Sequence, residues 1–145
     1  MGELPTLADF PGRTFDKLRF GDTDSVGHVN NAVFSTLFET GRVTLLYQDN
    51  PVPVEDGFGF VLAHISIDFI GEILWPGQVD IGTGIARIGR SSVQFTQALF
   101  QNGQCVARAT STIVLTNRTT RRSHPMPETI LASLRSKTVS DATFC

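Results

Sequence analysis

The sequence has no surplus of positive charge, no long apolar run and almost no cysteine. Twelve lysines and arginines face fourteen aspartates and glutamates, a formal net charge of −2, so no positive field is available to hold a nucleic-acid backbone. No stretch approaches the ~18 consecutive apolar residues of a membrane span. The opening MGELPTLADFPGR has neither the basic start nor the apolar core of a secretory leader. These absences predict a cytoplasmic protein that binds neither nucleic acid nor membrane. Cys105 and Cys145, the only cysteines, show no metal or redox spacing and read as free thiols. With 41% hydrophobic and 18% charged residues the chain is not a disordered polymer. Its 145 residues match the size of one domain, which is expected to span 1–145.

What the sequence does have is periodicity. RTFDKLRF, residues 13–20, reads as a first strand. Phe34, Leu37, Phe38, Gly41 and Leu45 recur at helical spacing and predict one helix over roughly 31–48. Asn30 or Asn31 is positioned to cap it, and Asp49, Asn50, Pro51 and Pro53 to stop it. After that helix the period drops to two. In FVLAHISIDFI, Val61, Ala63, Ile65, Ile67 and Phe69 are expected on one face, with Leu62, His64, Ser66 and Asp68 on the other. QVDIGTGIARI, SSVQFTQALFQ and QCVARATSTIVLTN follow as three more strands. The last two meet at Asn102-Gly103, where both residues tolerate positive φ, a strong hairpin signal. PETILASLR, opened by Pro127, reads as a short terminal helix.

A single long helix with an apolar stripe, and a sheet as its main partner, predicts an α+β layer in which the sheet wraps the helix. The opposite sheet face mixes Leu62, Phe100, Val106 and Val114 with His64, Ser66, Thr110 and Thr112. A wholly wet face would be more polar, so self-association is expected.

One stretch resists a purely structural reading. FGDTDSVGHVNN, residues 20–31, puts two carboxylates, two glycines, a histidine and two asparagines immediately ahead of the predicted helix. It is either a capped turn or a site. A carboxylate there can act as a base or nucleophile, while the free N–H groups of the first helical turn can polarise a carbonyl oxygen. Gly27 allows close approach of a bulky ligand, or a positive φ.

The run Phe20-Gly21-Asp22-Thr23-Asp24-x-x-Gly27-His28-Val29-Asn30-Asn31, then Phe34 and Phe38-Glu39-x-x-Arg42, resembles the 4-hydroxybenzoyl-CoA thioesterase-like branch of the hotdog-fold acyl-CoA thioesterases. IDFIGEILWPGQVDI, IGRSS and the element order extend the resemblance over nearly the whole chain. It implies a hotdog fold, a long helix wrapped by a five-stranded antiparallel sheet. It implies hydrolysis of an acyl-CoA to free acid and CoA; the sequence has no metal-ligand spacing and no glycine-rich phosphate loop, so neither metal nor cofactor is expected. It also implies a homodimer or a dimer-of-dimers tetramer, with sites at the subunit interface. By the same resemblance Asp24, the second aspartate of the D-x-D pair, is the general base or nucleophile. The N–H that polarises the thioester carbonyl maps onto Asn31. Asp22, Gly27, His28 and Asn30 support the loop.

The remaining candidates are less specific. His28 could move a proton or simply hold the loop. Glu39 and Arg42, at i and i+3, read as a helix-face pair. Phe34 and His64 are candidates for the acyl pocket, although His64 also reads as an interface residue. CoA phosphates need cations; Arg87 and Arg90 flank one turn, while Arg118, Arg121 and Arg122 follow the last strand. Two rival functions share the scaffold. A non-hydrolytic acyl-CoA sensor or carrier would bind without turnover. A hydratase-like hotdog would need an aspartate and histidine about five apart in a different motif, whereas Asp24 and His28 are four apart.

Overall fold

The computed structural model describes residues 3–48 and 50–139; Asp49 and Cys145 lie outside them. Among the described residues the chain forms β1 (Gly12–Lys17), α1 (Asn31–Tyr47), β2 (Phe58–Phe69), β3 (Gln78–Ile88), β4 (Ser92–Gln101), β5 (Gln104–Asn117) and α2 (Glu128–Arg135). Two 3-10 turns, Leu7–Asp9 and Phe20–Asp22, flank β1. All strand pairs are antiparallel, in the order β1-β3-β4-β5-β2. This is the expected hotdog arrangement, with α1 lying across β1, β3 and β4.

The helix forms where its apolar spacing predicts, and Asn30 caps it by accepting from Ala32 N at 2.9 Å. Its stripe divides between two cores. Phe34, Leu37 and Phe38 pack with Ile81, Leu99 and Ala109, while Leu45 and Leu46 pack with Ile85, Phe95 and Leu115. Each fully buried side chain of this size contributes about 1.5–3 kcal/mol of transfer free energy. The helix comes closest to the sheet at Gly41. A Cβ there would stand 2.6 Å from Ile81 Cγ2 and 2.7 Å from Gln97 Nε2, so only glycine permits the approach.

A polar layer lies at this same level. Gln97 Nε2 donates to Phe38 O and to Thr83 Oγ1, both at 2.9 Å, and Gln97 Oε1 accepts from Arg42 Nη1 at 3.3 Å. Burial pulls the Arg42 guanidinium below its usual range, and Glu39 partly offsets the shift. Ser111 Oγ is buried on the same sheet face with no hydrogen-bond partner among the described residues.

Several boundaries and faces depart from the sequence reading. The first strand stops at Lys17, because Phe20, Gly21 and Asp22 turn as a 3-10 segment rather than continuing extended. β2 starts earlier, at Phe58, and a bulge at Ala63 breaks its alternation. Leu62 pairs with Ile113 and Ile65 with Ser111, so Leu62 shares the helix-facing side with Ile65, Ile67 and Phe69. Val61, paired with Val114, moves to the outer side with His64 and Ser66. One inserted residue produces this exchange of faces. Pro127 is the N-cap of α2 rather than its first residue.

The outer face is also less apolar than expected. Phe10 packs edge-on against Phe100, ring centres 6.3 Å apart, with Ala98 beside them, and Val106 belongs to the inner core. The chain's own N-terminal segment therefore covers part of the surface that suggested self-association. The hairpin at Asn102 (φ 52°) and Gly103 (φ 79°) forms as predicted.

The two sheet edges differ. β1 has six residues, whereas β2 has twelve and leaves Val61, Leu62 and Phe69 about half exposed.

Candidate active site

The stretch between β1 and α1 is tied down at both ends. Leu18 N bonds Gly77 O at 2.9 Å, and the Phe20–Asp22 turn is closed by the Asp22 carboxylate. Asp22 Oδ2 accepts from Arg19 N at 2.8 Å, and Oδ1 accepts from Arg19 Nη2 at 2.9 Å. The Arg19 backbone bond, then its guanidinium, hold Asp22 below the usual carboxylate range, against the opposing effect of burial. The Asp22 carbonyl in turn receives Asn30 N at 2.8 Å. Both carboxylate oxygens of Asp22 are therefore engaged within the turn.

Between those anchors, residues 23–29 fold back on themselves. Thr23 bridges Val29, Asp24 N bonds His28 O at 2.8 Å, and Gly27 sits at φ 84°, where a side chain would be strained. Asp24 Oδ1 accepts from Val26 N at 2.9 Å and His28 N at 3.1 Å. One oxygen of Asp24 thus builds the turn in the way short carboxylates commonly do, a structural duty the sequence reading gave to Asp22 and not to Asp24. Among the described residues no donor reaches Asp24 Oδ2. Asn31 opens α1, and its backbone N–H bonds no described residue. A free carboxylate oxygen and a free N–H at the positive end of a seventeen-residue helix therefore lie seven residues apart on one loop.

The segment after β2 supports this loop. Val29 N bonds Ile73 O at 2.9 Å, His28 bridges Leu74 through the backbone, and His28 Nε2 lies 3.3 Å from Glu72 Oε2. Glu72 was missed in the sequence, where nothing local links it to His28. Around the loop stand exposed Val26, Leu74, Phe20 and Trp75, the last two edge-on with ring centres 5.2 Å apart.

The other candidates fall elsewhere. Phe34 is buried beneath the loop, its ring 4.9 Å from that of Phe69, and belongs to the core. His64 is exposed on the outer face, in a row with Thr112, Gln94 and Arg87. The two arginine clusters meet: Met126 N bonds Arg90 O, Leu115 N bonds Ser91 O and Arg118 N bonds Gly57 O. Arg90, Arg118, Arg121 and Arg122 thus gather where β2 begins, at the opposite end of the sheet from the Asp24 loop, which adjoins the segment where β2 ends. There Arg118 lines a cavity of about 260 Å³ with Tyr47, Val54, Glu55, Asp56, Phe58 and Phe60. Burial pushes the Tyr47 hydroxyl up, and nearby Arg118 opposes it.

Among the described residues no three His, Cys, Asp or Glu side chains come together as a metal site, and no helix is long and apolar enough to cross a membrane. Cys105 is free, and burial pushes its thiol up despite a bond to Ala107 O and nearby Arg108.

The model of the thioesterase-like superfamily matches residues 18–134, from just after β1 to within the last turn of α2. The chain belongs to that superfamily. Solved structures agree with the assignment. A thioesterase from Thermus thermophilus, complexed with coenzyme A and zinc, is 33% identical over 88% of this chain and 94% of its own, with a TM-score of 0.78. A predicted thioesterase from Bacillus stearothermophilus is 30% identical over 88% and 96%, also at 0.78. A protein from Pseudomonas aeruginosa is 26% identical over 94% and 97%, at 0.84. Among curated proteins none matches.

Proposed function

We propose that this thioesterase-superfamily chain hydrolyses acyl-CoA, with Asp24 as general base or nucleophile and the Asn31 N–H as oxyanion donor. The observation that carries the reading is a pair of groups unbonded among the described residues, Asp24 Oδ2 and Asn31 N–H, held on one anchored loop at the start of α1. Asp24 takes a proton from water, the resulting hydroxide adds to the thioester carbonyl, and the oxyanion gathers charge against the Asn31 N–H. Collapse breaks the C–S bond and releases CoA as its thiolate. In the covalent alternative the Asp24 carboxylate adds directly, the C–S bond breaks with loss of the CoA thiolate to leave a mixed anhydride, and water then cleaves that anhydride to the free acid and Asp24. A Thermus thermophilus neighbour complexed with coenzyme A supports a CoA ester as substrate. Placement in the 4-hydroxybenzoyl-CoA-like branch rests on the loop motif.

The reading includes a homodimer, or a dimer-of-dimers tetramer. β2 is a twelve-residue edge strand with exposed apolar side chains, a surface suited to another strand. If two β2 edges pair antiparallel, the end of β2 beside one Asp24 loop meets the start of β2 in the other copy. The partner's arginine cluster and cavity then adjoin the loop, which one chain alone cannot achieve. This would give Arg90, Arg118, Arg121 and Arg122 access to the CoA phosphates. A single domain in the cytoplasm completes the picture; the free Cys105 suits a reducing compartment.

The test is thiol release across short, medium, long and aromatic acyl-CoAs. Turnover of at least one of them is expected. Tight binding of acyl-CoA with no release from any would replace the enzyme with the sensor or carrier.

A further inference from the structure

We infer that Gln101 is a positioning residue for Asp24, holding from the far end of β4 the backbone against which the Asp24 loop hangs. The inference rests on the reading that Asp24 performs the chemistry. Gln101 Oε1 accepts from Leu74 N at 3.0 Å and Gln101 Nε2 donates to Leu74 O at 2.8 Å. One side-chain amide thereby serves Leu74 as a neighbouring strand would, using a donor and an acceptor in fixed relation. The approach has been given room: a Cβ at Gly77 would stand 3.3 Å from Gln101 Nε2 and 3.9 Å from Leu74 O.

From Leu74 the connection to Asp24 is continuous. Leu74 stands opposite His28 in an antiparallel bridge, and the bond that joins the two segments there is Val29 N to the neighbouring Ile73 O at 2.9 Å. His28 then meets Asp24 twice, its N–H donating to Asp24 Oδ1 at 3.1 Å and its carbonyl accepting from Asp24 N at 2.8 Å. The bond to Oδ1 fixes which way Oδ2 faces. The β4–β5 hairpin, whose last pair is Gln101 with Gln104, is a rigid place from which to set this direction.

Loss of the amide would not release the loop altogether. Leu18 N to Gly77 O and Val29 N to Ile73 O remain, so a small displacement is expected rather than unfolding. Small displacements of a reacting group are costly to turnover and nearly silent in ground-state binding.

The experiment compares Gln101→Met, which keeps length without the amide, and Gln101→Ala with the wild-type chain. Two readouts are taken: steady-state hydrolysis of an acyl-CoA that the wild type turns over, and backbone hydrogen exchange. We expect kcat to fall about tenfold with KM within about twofold. We also expect faster exchange at the Asp24, His28 and Val29 amides, with Leu115 N, bonded to Ser91 O at the other end of the sheet, unchanged. Wild-type kcat and wild-type exchange at those three amides in both variants would overturn the inference. Exchange rising equally at Leu115 would overturn it too, because Gln101 would then support global stability alone. If the wild type hydrolyses no thioester, the proposed function falls, and the exchange pattern still decides whether Gln101 holds the loop.

Discussion

Two polar groupings lie along α1, one midway and one at its start, and they are bonded on opposite terms. Midway, Gln97 spends its amide on Phe38 O, Thr83 and Arg42 inside the core. At the start, Asp22 is fully engaged, but among the described residues Asp24 keeps one oxygen and Asn31 its N–H unbonded. The first grouping is closed and fixes how the helix sits on the sheet. The second has two unused hydrogen-bonding groups, one acceptor and one donor, which match the needs of a water molecule and a developing oxyanion. Polar content alone would not separate the two groupings; what each atom is left to bond with does.

The widest test of that contrast is Asp24→Asn. The amide oxygen can still accept from Val26 N and His28 N, so the loop and the unfolding midpoint should hold while kcat drops by roughly 10²-fold or more. Thiol-release kinetics on purified variants measure it, and wild-type turnover would move the chemistry elsewhere. The closed grouping should respond in the opposite sense. Gly41→Ala forces a Cβ against Gln97 Nε2 and Ile81. Overpacking of about 1–3 kcal/mol, lessened by the better helix propensity of alanine, should lower stability in a urea titration by roughly 1–2 kcal/mol.

Asp22→Asn should have the smallest effect, and its sign depends on pH. Asp22 has its folded pKa depressed, so its contribution is present above the unfolded value near ~3.9 and is lost as pH falls through the lower folded value. With Arg19 largely exposed, the ionic part is discounted for solvent, and about 1 kcal/mol at neutral pH is expected. Wild type and variant should converge in acid denaturation below that range, while hydrolysis at neutral pH changes far less than in Asp24→Asn.

Much of this was legible because the signals are local. The helix cap, the Asn102-Gly103 turn and the short spacing of Asp22, Asp24 and Asn31 all operate within a few residues of chain. Failures came where the deciding contact is remote. Gln101 lies 27 positions from Leu74, and Gln97 lies 55 from Arg42, so no spacing rule could join them. The Ala63 bulge was hidden for another reason: apolar residues occupy both parities of β2, and an inserted residue leaves no mark in such a pattern. The outer face misled because Phe10, far from Phe100 in sequence, supplies its cover.

The length and bareness of the β2 edge also matter before any substrate is met. Phe58–Phe69 contains neither proline nor lysine, the residues that usually discourage stray strand pairing, and only His64 and Asp68 interrupt its apolar and neutral side chains. A newly made chain therefore presents a ready template to whichever strand arrives first, whether a correctly folded copy or an unfinished one. Yield then becomes a race between proper pairing and aggregation, decided by how fast chains emerge and how crowded they are.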